Sequence, residues 1–356
     1  MKNDKKLPLG KLDLDILEEI FKAYSSADVM ETLDGSALKD NYGGAKQRVK
    51  LGFSIGEDAA VLDIGDKYMI SKTDPITFAT DEIGYYVVNV NANDIAAMGA
   101  VPKWFQATIL LPAEKTTKSM VKKICVDIQK CCLEIGVVLT GGHTEVTYGI
   151  PRPIIVGSML GEVEKANLVL TSGGKPGDAL ILTKGIPLEG TSIIAREKES
   201  DLLDAGFDQA TIDSAKSLLH NPGISIIKEA IISAKKFDIH SMHDPTEGGL
   251  AMGLVEMARA SNCGVSIDFD SIPFVKQGMK FCRHFDIDPL RLISSGALLI
   301  ALNESDSAQL ISLLKQEGIR ASKIGNLTAD NRYWINKDGK KQKLVYSERD
   351  ELTKIF

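Results

Sequence analysis

The stretch Gly56-Glu57-Asp58-Ala59-Ala60 places two adjacent carboxylates after a short apolar segment, Leu51 to Ile55, with only glycine and alanine around them. Small neighbours let a phosphate group or a hydrated metal ion approach the backbone closely, and carboxylate oxygens are the hard ligands that Mg²⁺ prefers. The pentapeptide therefore indicates a site for Mg²⁺ and phosphate that other acidic motifs complete. The alternative interpretation is an ordinary acidic turn between two strands.

Length and charge limit the possible classes of protein. A chain of 356 residues is long for one hydrophobic core, so we expect two domains. Its 42 lysines and arginines against 48 aspartates and glutamates give a net charge of −6, and no block of basic residues is interleaved with aromatic ones. We therefore expect no nucleic-acid partner.

The termini and cysteines favour a cytoplasmic protein. The basic start, Met1 to Lys6, leads into Leu-Pro-Leu-Gly rather than an apolar core, so we expect no secretory leader. No stretch approaches the roughly 18 apolar residues of a membrane span, so we expect no membrane contact. The five cysteines form no Cys-x-x-Cys pair, which is typical of reduced thiols rather than a disulfide framework or a zinc ribbon.

The first part of the chain is predicted to mix strands and helices. We expect Asp74 at the end of a strand, because Pro75 prevents that strand from simply continuing. Asn91 and Asp94 lie three residues apart on a predicted helix and share a face, whereas Asn93 points elsewhere. The predicted elements are a helix from Leu12 to Tyr24, a polar loop with at most one strand from Asp28 to Gly52, strands from Phe53 to Ile64, Tyr68 to Ser71 and Trp104 to Leu111, and helices from Glu82 to Met98 and Thr116 to Glu134.

A short buried strand, Val137 to Thr140, is predicted to run into Gly141-Gly142-His143-Thr144-Glu145-Val146-Thr147. The pattern of predicted elements starts again around Glu162 to Pro176, with polar and glycine-rich residues that lead into a strand. We therefore place a domain boundary between residues 1–165 and 166–356. Pro176 follows the glycine-rich run and its lysine, which favours a turn over a P-loop. Thr191 is a plausible cap of a short helix. The element order indicates an α/β (α+β) fold.

A second dense motif, His243-Asp244-Pro245-Thr246-Glu247-Gly248-Gly249, precedes a predicted helix from Leu250 to Arg259. The free amides at such a helix start favour an anion. Alternatively, Asp244 and Glu247 could cap the helix, and the sequence leaves both interpretations open.

Asp58, Asp74 and Asp94 fall at the ends or faces of successive elements. If the fold brings them together, they form an oxygen-rich site suited to Mg²⁺ bridging nucleotide phosphates, because burying three carboxylates without a cation is costly. Three separate surface aspartates are the alternative. A zinc site built from His143, His240 and His243 is a weaker hypothesis, because the Pro-Cys-x-x-Cys partner of zinc deaminases is absent.

Several motifs occur in the order seen in the aminoimidazole ribonucleotide synthetase (PurM-like) superfamily, which includes thiamine-monophosphate kinase, selenophosphate synthetase and HypE-type hydrogenase maturation factors. The chain resembles this superfamily over most of its length, and the run from Asp244 to Ala251 is most similar to HypE-type proteins. The matching motifs are Gly56-Glu57-Asp58-Ala59-Ala60, Lys72-Thr73-Asp74, Asn93 to Ala100, Gly141-Gly142-His143-Thr144, His243 to Gly249 and Ser295-Gly296.

The resemblance implies a two-domain α/β fold. The N-terminal sheets of a homodimer would form a barrel-like core, the C-terminal domain would be an α/β sandwich, and ATP would lie in the cleft between the domains. It also implies that Mg²⁺–ATP is bound by Asp58, Asp74 and Asp94. The implied nucleotide or phosphate contacts are Asn93, Gly141, Gly142 and Thr144.

Two candidate catalytic residues follow from the resemblance. Asp244 matches an acidic position that faces the acceptor, and His143 stands where several relatives carry an acid. HypE-type factors carry a carbamoyl group on a terminal cysteine, whereas no cysteine follows Cys282 here. We therefore expect that this step does not occur on the chain's own tail.

Three functional hypotheses stay open. The first is a Mg²⁺- and ATP-dependent enzyme that phosphorylates a small or carrier-borne acceptor, such as an amide or carbamoyl oxygen. The second is a small-molecule kinase resembling thiamine-monophosphate kinase. The third is a nucleotide-binding partner in a maturation complex that has lost turnover. The sequence does not identify the acceptor.

Overall fold

The computed structural model describes residue 12 and residues 14–24, 36–52, 54, 56–347 and 349–356. These residues form two mixed β-sheets with helices packed against them, in a two-domain α/β arrangement. Phe53 and Ile55, which we expected in a strand, lie outside the described residues, as do residues 28–35 of the expected loop.

The two sheets use separate parts of the chain. The first sheet has the order β1-β2-β3-β6-β4-β5 and the second β13-β12-β9-β11-β7-β10-β8. All neighbouring strands are antiparallel except two parallel pairs, β4 with β5 and β9 with β12. The strands are β1 (Val49–Leu51), β2 (Ala60–Asp63), β3 (Lys67–Ile76), β4 (Val101–Pro112), β5 (Val138–Thr147), β6 (Ile154–Glu164), β7 (Ala179–Thr183), β8 (Ile239–His243), β9 (Gly264–Asp268), β10 (Leu299–Leu302), β11 (Ala321–Thr328), β12 (Tyr333–Lys337) and β13 (Lys340–Lys343).

Two helices precede the first strand and the others lie between strands in the chain, and short 3₁₀ turns, one of them Thr171–Gly173, connect several elements. No helix in the described ranges has the length and apolar run needed to cross a membrane. The α-helices are α1 (Leu14–Tyr24), α2 (Ser36–Gln47), α3 (Ile83–Ala97), α4 (Lys118–Glu134), α5 (Leu188–Glu197), α6 (Glu199–Asp204), α7 (Gln209–Ser217), α8 (Ile227–Lys236), α9 (Gly249–Ala260), α10 (Lys276–His284) and α11 (Ser307–Gln316).

Helix α3 lies at the centre of the molecule. It packs on β3 and β6 of the first sheet and also contacts α8 and β8 of the second domain, so almost all of its residues are buried. Asn93 joins the two domains: its Nδ2 donates to the Ile224 carbonyl at 2.8 Å, and its Oδ1 accepts from the Ile226 amide at 2.9 Å. The predicted domain boundary falls between β6 and β7, in the segment that separates the two sheets.

Strand β3 corrects one expectation, because it continues through Asp74 and Pro75 to Ile76. Proline is tolerated there because β2 pairs with β3 only from Tyr68 to Ser71, which leaves the later residues of β3 with a free edge. On the other side, Pro75 stays in register with Val156 of β6. A missing N–H costs little where no neighbouring strand accepts it.

Three further element predictions were wrong. Ser36–Gln47 forms a helix rather than a loop, and its glycine pair and few apolar residues concealed the helical period. The strand predicted as short and buried is instead β5, a ten-residue edge strand that is largely exposed. Thr191 does not cap α5 but lies inside it, where its hydroxyl donates to the Pro187 carbonyl.

Candidate functional site

Lys72 lies between two of the predicted metal ligands. Because side chains alternate along a strand, Lys72 and Asp74 of β3 point to the same side, towards Asp94 on α3. Lys72 Nζ lies 3.3 Å from Asp94 Oδ2 and 3.6 Å from Asp74 Oδ2. Asn91 fixes the strand here, because its Oδ1 accepts from the Asp74 amide at 2.9 Å. Asn91 and Asp94 thus share a face, as the sequence indicated.

The electrostatics of this group are strongly coupled. Burial raises the pKa of Asp94 well above its usual range, the Lys72 ammonium opposes that rise, and the charges of Asp74 and Asp58 add to it. Burial lowers the pKa of Lys72, but the charges of Asp94, Asp74 and Asp58 outweigh burial and raise it overall. One ammonium group therefore compensates several carboxylates, and Asp94 Oδ2, despite its ion pair, has no hydrogen-bond partner of suitable geometry among the described residues.

Asp58 lies beside this group and contacts the second dense motif. Its Oδ1 is 2.7 Å from Nδ1 of His243, and the other ring nitrogen of His243 is 3.2 Å from Glu256 Oε2 on α9. Burial lowers the pKa of His243, but the charge of Asp58 and hydrogen bonding to Asp58 and Glu256 raise it to about 10. His243 is therefore an imidazolium held between two carboxylates at neutral pH.

These side chains line one cleft, which we call the nucleotide cleft. It encloses about 610 Å³ of empty space, part of it open to solvent. Two of its charged lining residues, Lys72 and Glu256, received no role from the sequence, and His243 was considered only as a zinc ligand, although Lys72 and His243 stand inside quoted motifs. Its lining residues are Leu14, Leu17, Ser54, Gly56, Glu57, Asp58, Lys72, Asp94, His243, Thr246 and Glu256.

The first two residues of the opening motif have structural roles. Glu57 accepts hydrogen bonds from the amides of Thr171 at 2.9 Å and Ser172 at 3.0 Å, so it holds the segment between the two sheets. Gly56 has φ +80°, and a Cβ there would lie 2.8 Å from the Glu256 carbonyl oxygen. Only glycine allows this close approach to α9.

Asp244 is 1% exposed, and neither of its carboxylate oxygens has a hydrogen-bond partner of suitable geometry among the described residues. Burial, together with the charges of Asp58 and Glu189, raises its pKa well above the usual range. Neither Asp244 nor Glu247 caps α9, so the capping interpretation was wrong. The Asp350 carboxylate instead accepts from the Gly248 amide at 2.8 Å.

A second cleft, which we call the acceptor pocket, opens between the domains. It contains about 420 Å³ of empty space, much of it open to solvent, and Asp74, Phe78, Glu189, Thr246, Glu247 and Ser295 are among its lining residues. Burial raises the pKa of Glu189 to about 7, although a hydrogen bond from Ser295 opposes the rise. Thr246 lines both clefts, so the two are adjacent.

The predicted residues on β5 lie apart from both clefts. Gly141, Gly142, His143 and Thr144 are exposed on this edge strand, which β6 and β4 separate from β3. Three strand spacings of about 4.8 Å place β5 about 14 Å from Asp74. His143 pairs with Glu145 at 3.2 Å, and no contact joins it to Asp244 in the described part of the chain.

Gly142 has a packing reason for its identity. A Cβ there would lie 2.1 Å from the Ala107 carbonyl oxygen on β4. At Gly141, by contrast, a Cβ would meet nothing within 4 Å. Close packing of β4 and β5 therefore explains one glycine of the pair and not the other.

Family models agree with this two-sheet arrangement. The model for the N-terminal domain of AIR synthase related proteins matches residues 56–163, and the model for the C-terminal domain matches residues 175–336. The chain belongs to this AIR synthase-related, PurM-like family. Each matched range contains most of one of the two sheets.

Curated relatives of this family member include hydrogenase maturation proteins. The chain is 29% identical over 290 residues to a putative hydrogenase expression/formation protein of Methanocaldococcus jannaschii, which covers 79% of this chain and 82% of the relative. It is 25% identical over 289 residues to the carbamoyl dehydratase HypE of Rhizobium leguminosarum, covering 79% of each.

Solved structures of HypE share the fold. Escherichia coli HypE superposes with a TM-score of 0.70 at 19% identity, covering 90% of this chain and 100% of that one. A HypE in complex with ATP gives a TM-score of 0.65 at 21% identity, with 83% and 90% coverage. A chain of a HypE–HypF complex gives 0.68 at 20% identity, with 93% and 99% coverage.

The described residues of this family member contain no group of three or more His, Cys, Asp or Glu side chains arranged to hold a metal ion. His240 pairs with Asp178 at 2.9 Å and His243 with Asp58, so the three histidines of the zinc hypothesis do not converge. Mg²⁺ is usually held by only one or two carboxylates, and substrate phosphates and water supply its other ligands. The nucleotide cleft fits that mode because it contains more buried carboxylate groups than cationic groups.

Proposed function

We propose that the chain is a Mg²⁺- and ATP-dependent enzyme that transfers a phosphoryl group to an acceptor of amide, carbamoyl or other small-molecule type and so activates it. One observation carries the proposal: Asp94, Lys72 and Asp74 form a coupled ion cluster beside Asp58, at the junction of the two clefts. A structurally similar HypE that was solved in complex with ATP, and a relative that is named carbamoyl dehydratase, support the same reaction class.

In this proposal the carboxylates of Asp58, Asp94 and Asp74 hold Mg²⁺, which neutralises phosphate charge when it is bound. Lys72 supplies a fixed positive charge on the strand that lines the cleft, and an ammonium group binds phosphate oxygens as a point charge. His243, an imidazolium between Asp58 and Glu256, fixes the orientation of Asp58. Phosphoryl transfer needs mainly positioning and electrostatic stabilisation, and this set of residues provides both.

Asp244 is the proposed residue on the acceptor side. Its oxygens have no hydrogen-bond partners of suitable geometry among the described residues, and burial, followed by the charges of Asp58 in the nucleotide cleft and Glu189 in the acceptor pocket, raises its pKa. A buried carboxylate that interacts with charged groups of both clefts suits a proton acceptor for the group that receives the phosphate. Asn93 already uses its amide to join the domains, so its proposed role is to fix the cleft width near the nucleotide.

The proposed active form is a homodimer. Edge strand β5 and the residue after it expose Val138 (59%), Val146 (56%) and Tyr148 (90%), and an apolar edge of this kind is normally covered by a partner. A second copy would bring its Gly141, Gly142, His143 and Thr144 to the nucleotide, which they do not reach within one chain. Light scattering at micromolar concentration is expected to give a dimer, and Val146→Lys a monomer. A wild-type monomer would contradict this proposal.

The reaction itself is tested at Asp94. Asp94→Asn keeps the shape of the side chain but removes a carboxylate, so the affinity for Mg²⁺–ATP measured by titration calorimetry is expected to fall at least about 10-fold. Glu304→Gln is the matched control, because Glu304 pairs with Lys323 on the surface of the other domain. Equal affinity in the wild type and Asp94→Asn would refute the assignment of this cluster to the nucleotide.

A maturation-protein partner is a further element of the proposal, supported by the HypE–HypF complex among the similar structures. The proposed location is cytoplasmic, with no nucleic acid or membrane involved. A small-molecule kinase and a non-catalytic nucleotide-binding protein would share the nucleotide cleft. Mg²⁺–ATP consumption stimulated by an acceptor would favour an enzyme, whereas tight nucleotide binding without turnover under any acceptor would favour the non-catalytic protein.

A further inference from the structure

The acceptor pocket lies next to the nucleotide cleft but differs from it in charge. Three carboxylates line it, those of Asp74, Glu189 and Glu247, and its lining residues include no Lys, Arg or His. Asp74 has Lys72 as a partner at 3.6 Å on the side of the nucleotide cleft. Within the described ranges, Glu189 and Glu247 form no ion pair. The carboxyl groups of Glu189 and Glu247 therefore have no cationic partner among the residues that line the acceptor pocket.

One buried hydroxyl group inside the pocket lacks a well-oriented hydrogen-bond partner. Ser295 is 1% exposed and lines the pocket, and its hydroxyl lies near the Glu189 carboxylate but makes no hydrogen bond of suitable geometry in the part of the chain that the structure describes. Its amide donates to Glu189 Oε2 at 3.2 Å. A buried hydroxyl left unpaired is unfavourable, so such groups generally mark a missing partner.

The rest of the wall is apolar and comes from both domains. Ile76, Phe78 and Val90 belong to the first domain, and Ile193 and Ile293 to the second. A ligand pocket typically combines such walls with a few convergent polar groups that fix orientation. The acceptor pocket thus suits a small molecule with an apolar body and one polar end directed at Glu189, Glu247 and Ser295.

We propose that the acceptor carries a cationic nitrogen group, an ammonium or amidinium, which binds between Glu189 and Glu247 and hydrogen-bonds to Ser295 Oγ. This inference rests on the proposed function, which requires an acceptor, and it adds that the acceptor is positively charged. A cation in this position neutralises the two carboxylates. An acceptor with a phosphate or carboxylate group at that end is disfavoured, because like charges in a partly buried pocket repel.

The test uses three small probes of similar size. Methylguanidinium is the cation, N-methylurea its neutral near-isostere and methyl phosphate the anion, and binding to the full chain is measured by ligand-observed NMR titration with a non-hydrolysable ATP analogue and Mg²⁺ present. We expect methylguanidinium to bind at least about 10-fold more tightly than the other two, since charge-assisted hydrogen bonds are the stronger ones. Glu189→Gln and Glu247→Gln are each expected to weaken methylguanidinium binding about 10-fold, while the surface control Glu304→Gln leaves it unchanged.

Four outcomes would overturn the proposal: no measurable binding of methylguanidinium, equal or tighter binding of N-methylurea, equal or tighter binding of methyl phosphate, or unaltered cation affinity in Glu189→Gln/Glu247→Gln. Both glutamine substitutions preserve side-chain shape, and circular dichroism checks that the variants are folded. ATP affinity is measured in the same samples without a probe. Loss of the cation site with ATP binding retained refutes this inference alone, whereas absence of ATP binding with the cation site intact refutes the proposed function.

Discussion

The two adjoining clefts differ in whether their acidic side chains have cationic partners. In the nucleotide cleft the buried carboxylates have a cation nearby, since Lys72 lies between Asp94 and Asp74 and the imidazolium of His243 lies between Asp58 and Glu256. In the acceptor pocket, Glu189 and Glu247 face a space whose lining residues include no cation. Thr246 lines both clefts and Asp74 lies at their junction, so the change from compensated to uncompensated charge occurs over a short distance.

This difference shows how one group of acids can serve two kinds of ligand. The ion cluster of the nucleotide cleft suits the close approach of Mg²⁺–phosphate, because its carboxylates can bind the metal and its lysine can bind phosphate oxygens. An uncompensated pocket stays costly until a cation arrives, and that cost gives selectivity. Substitutions that remove a cation from the first cleft and a carboxylate from the second should therefore change stability in opposite directions.

The largest expected effect is at Lys72. Lys72→Met removes the cation between Asp94, which is 2% exposed, and Asp74, so it leaves a buried carboxylate without a partner. Breaking a buried pair in this way costs about 3 to 4 kcal/mol of unfolding free energy. The measurement is urea unfolding at pH 7. Lys165→Met, which breaks the exposed Lys165–Asp63 pair at 2.7 Å, is the control and should be close to neutral.

An equal loss of unfolding free energy in Lys72→Met and Lys165→Met would contradict this prediction. It would mean that Lys72 does not compensate the buried acids. Their charges would then have to be balanced by solvent.

A smaller effect of opposite sign is expected at Glu189. Its folded-state pKa is raised by burial from 4.5 to about 7, so the wild type loses stability as pH rises from about 4.5 to about 7 and keeps that loss above pH 7. Glu189→Gln imitates the protonated acid and avoids this cost. It should therefore be more stable than the wild type at pH 8, by about 2 to 3 kcal/mol, and equally stable at about pH 4.5.

Urea unfolding at several pH values checks this prediction, with Glu304→Gln as a surface control that shows no gain at pH 8. A Glu189→Gln variant less stable than the wild type at pH 8 would contradict it. In that case a cation outside the described residues would already compensate Glu189. The acceptor pocket would then have no preference for a cationic ligand.

The sequence predicted the two-domain α/β class and most elements with a regular period. Residues of α4 carry that period, and Thr117 caps this helix by accepting a hydrogen bond from the Met120 amide. The two errors in the strands occurred where strand pairing rather than local preference decides. Pro75 stays in β3 because β2 ends early, and β5 is long and exposed because it lies at the edge of the sheet.

Within the site, the sequence named Asp74 and Asp94 as candidate ligands but left open whether they approach each other or lie apart on the surface. It could not reveal that Lys72 would lie between them, because a lysine two residues before an aspartate is common on exposed strands. Glu256, 13 residues beyond His243, reaches it only through the turn into α9. Glu189 gave no signal, because its significance comes from burial at a junction of two domains.

A crystal structure of the chain with Mg²⁺, a non-hydrolysable ATP analogue and methylguanidinium bound together tests both assignments at once. We expect the triphosphate and Mg²⁺ against Asp58, Asp94 and Lys72, and the cation between Glu189 and Glu247 with a hydrogen bond to Ser295 Oγ. Phosphate groups against Glu189 and Glu247, or a methylguanidinium bound only outside the acceptor pocket, would contradict this expectation.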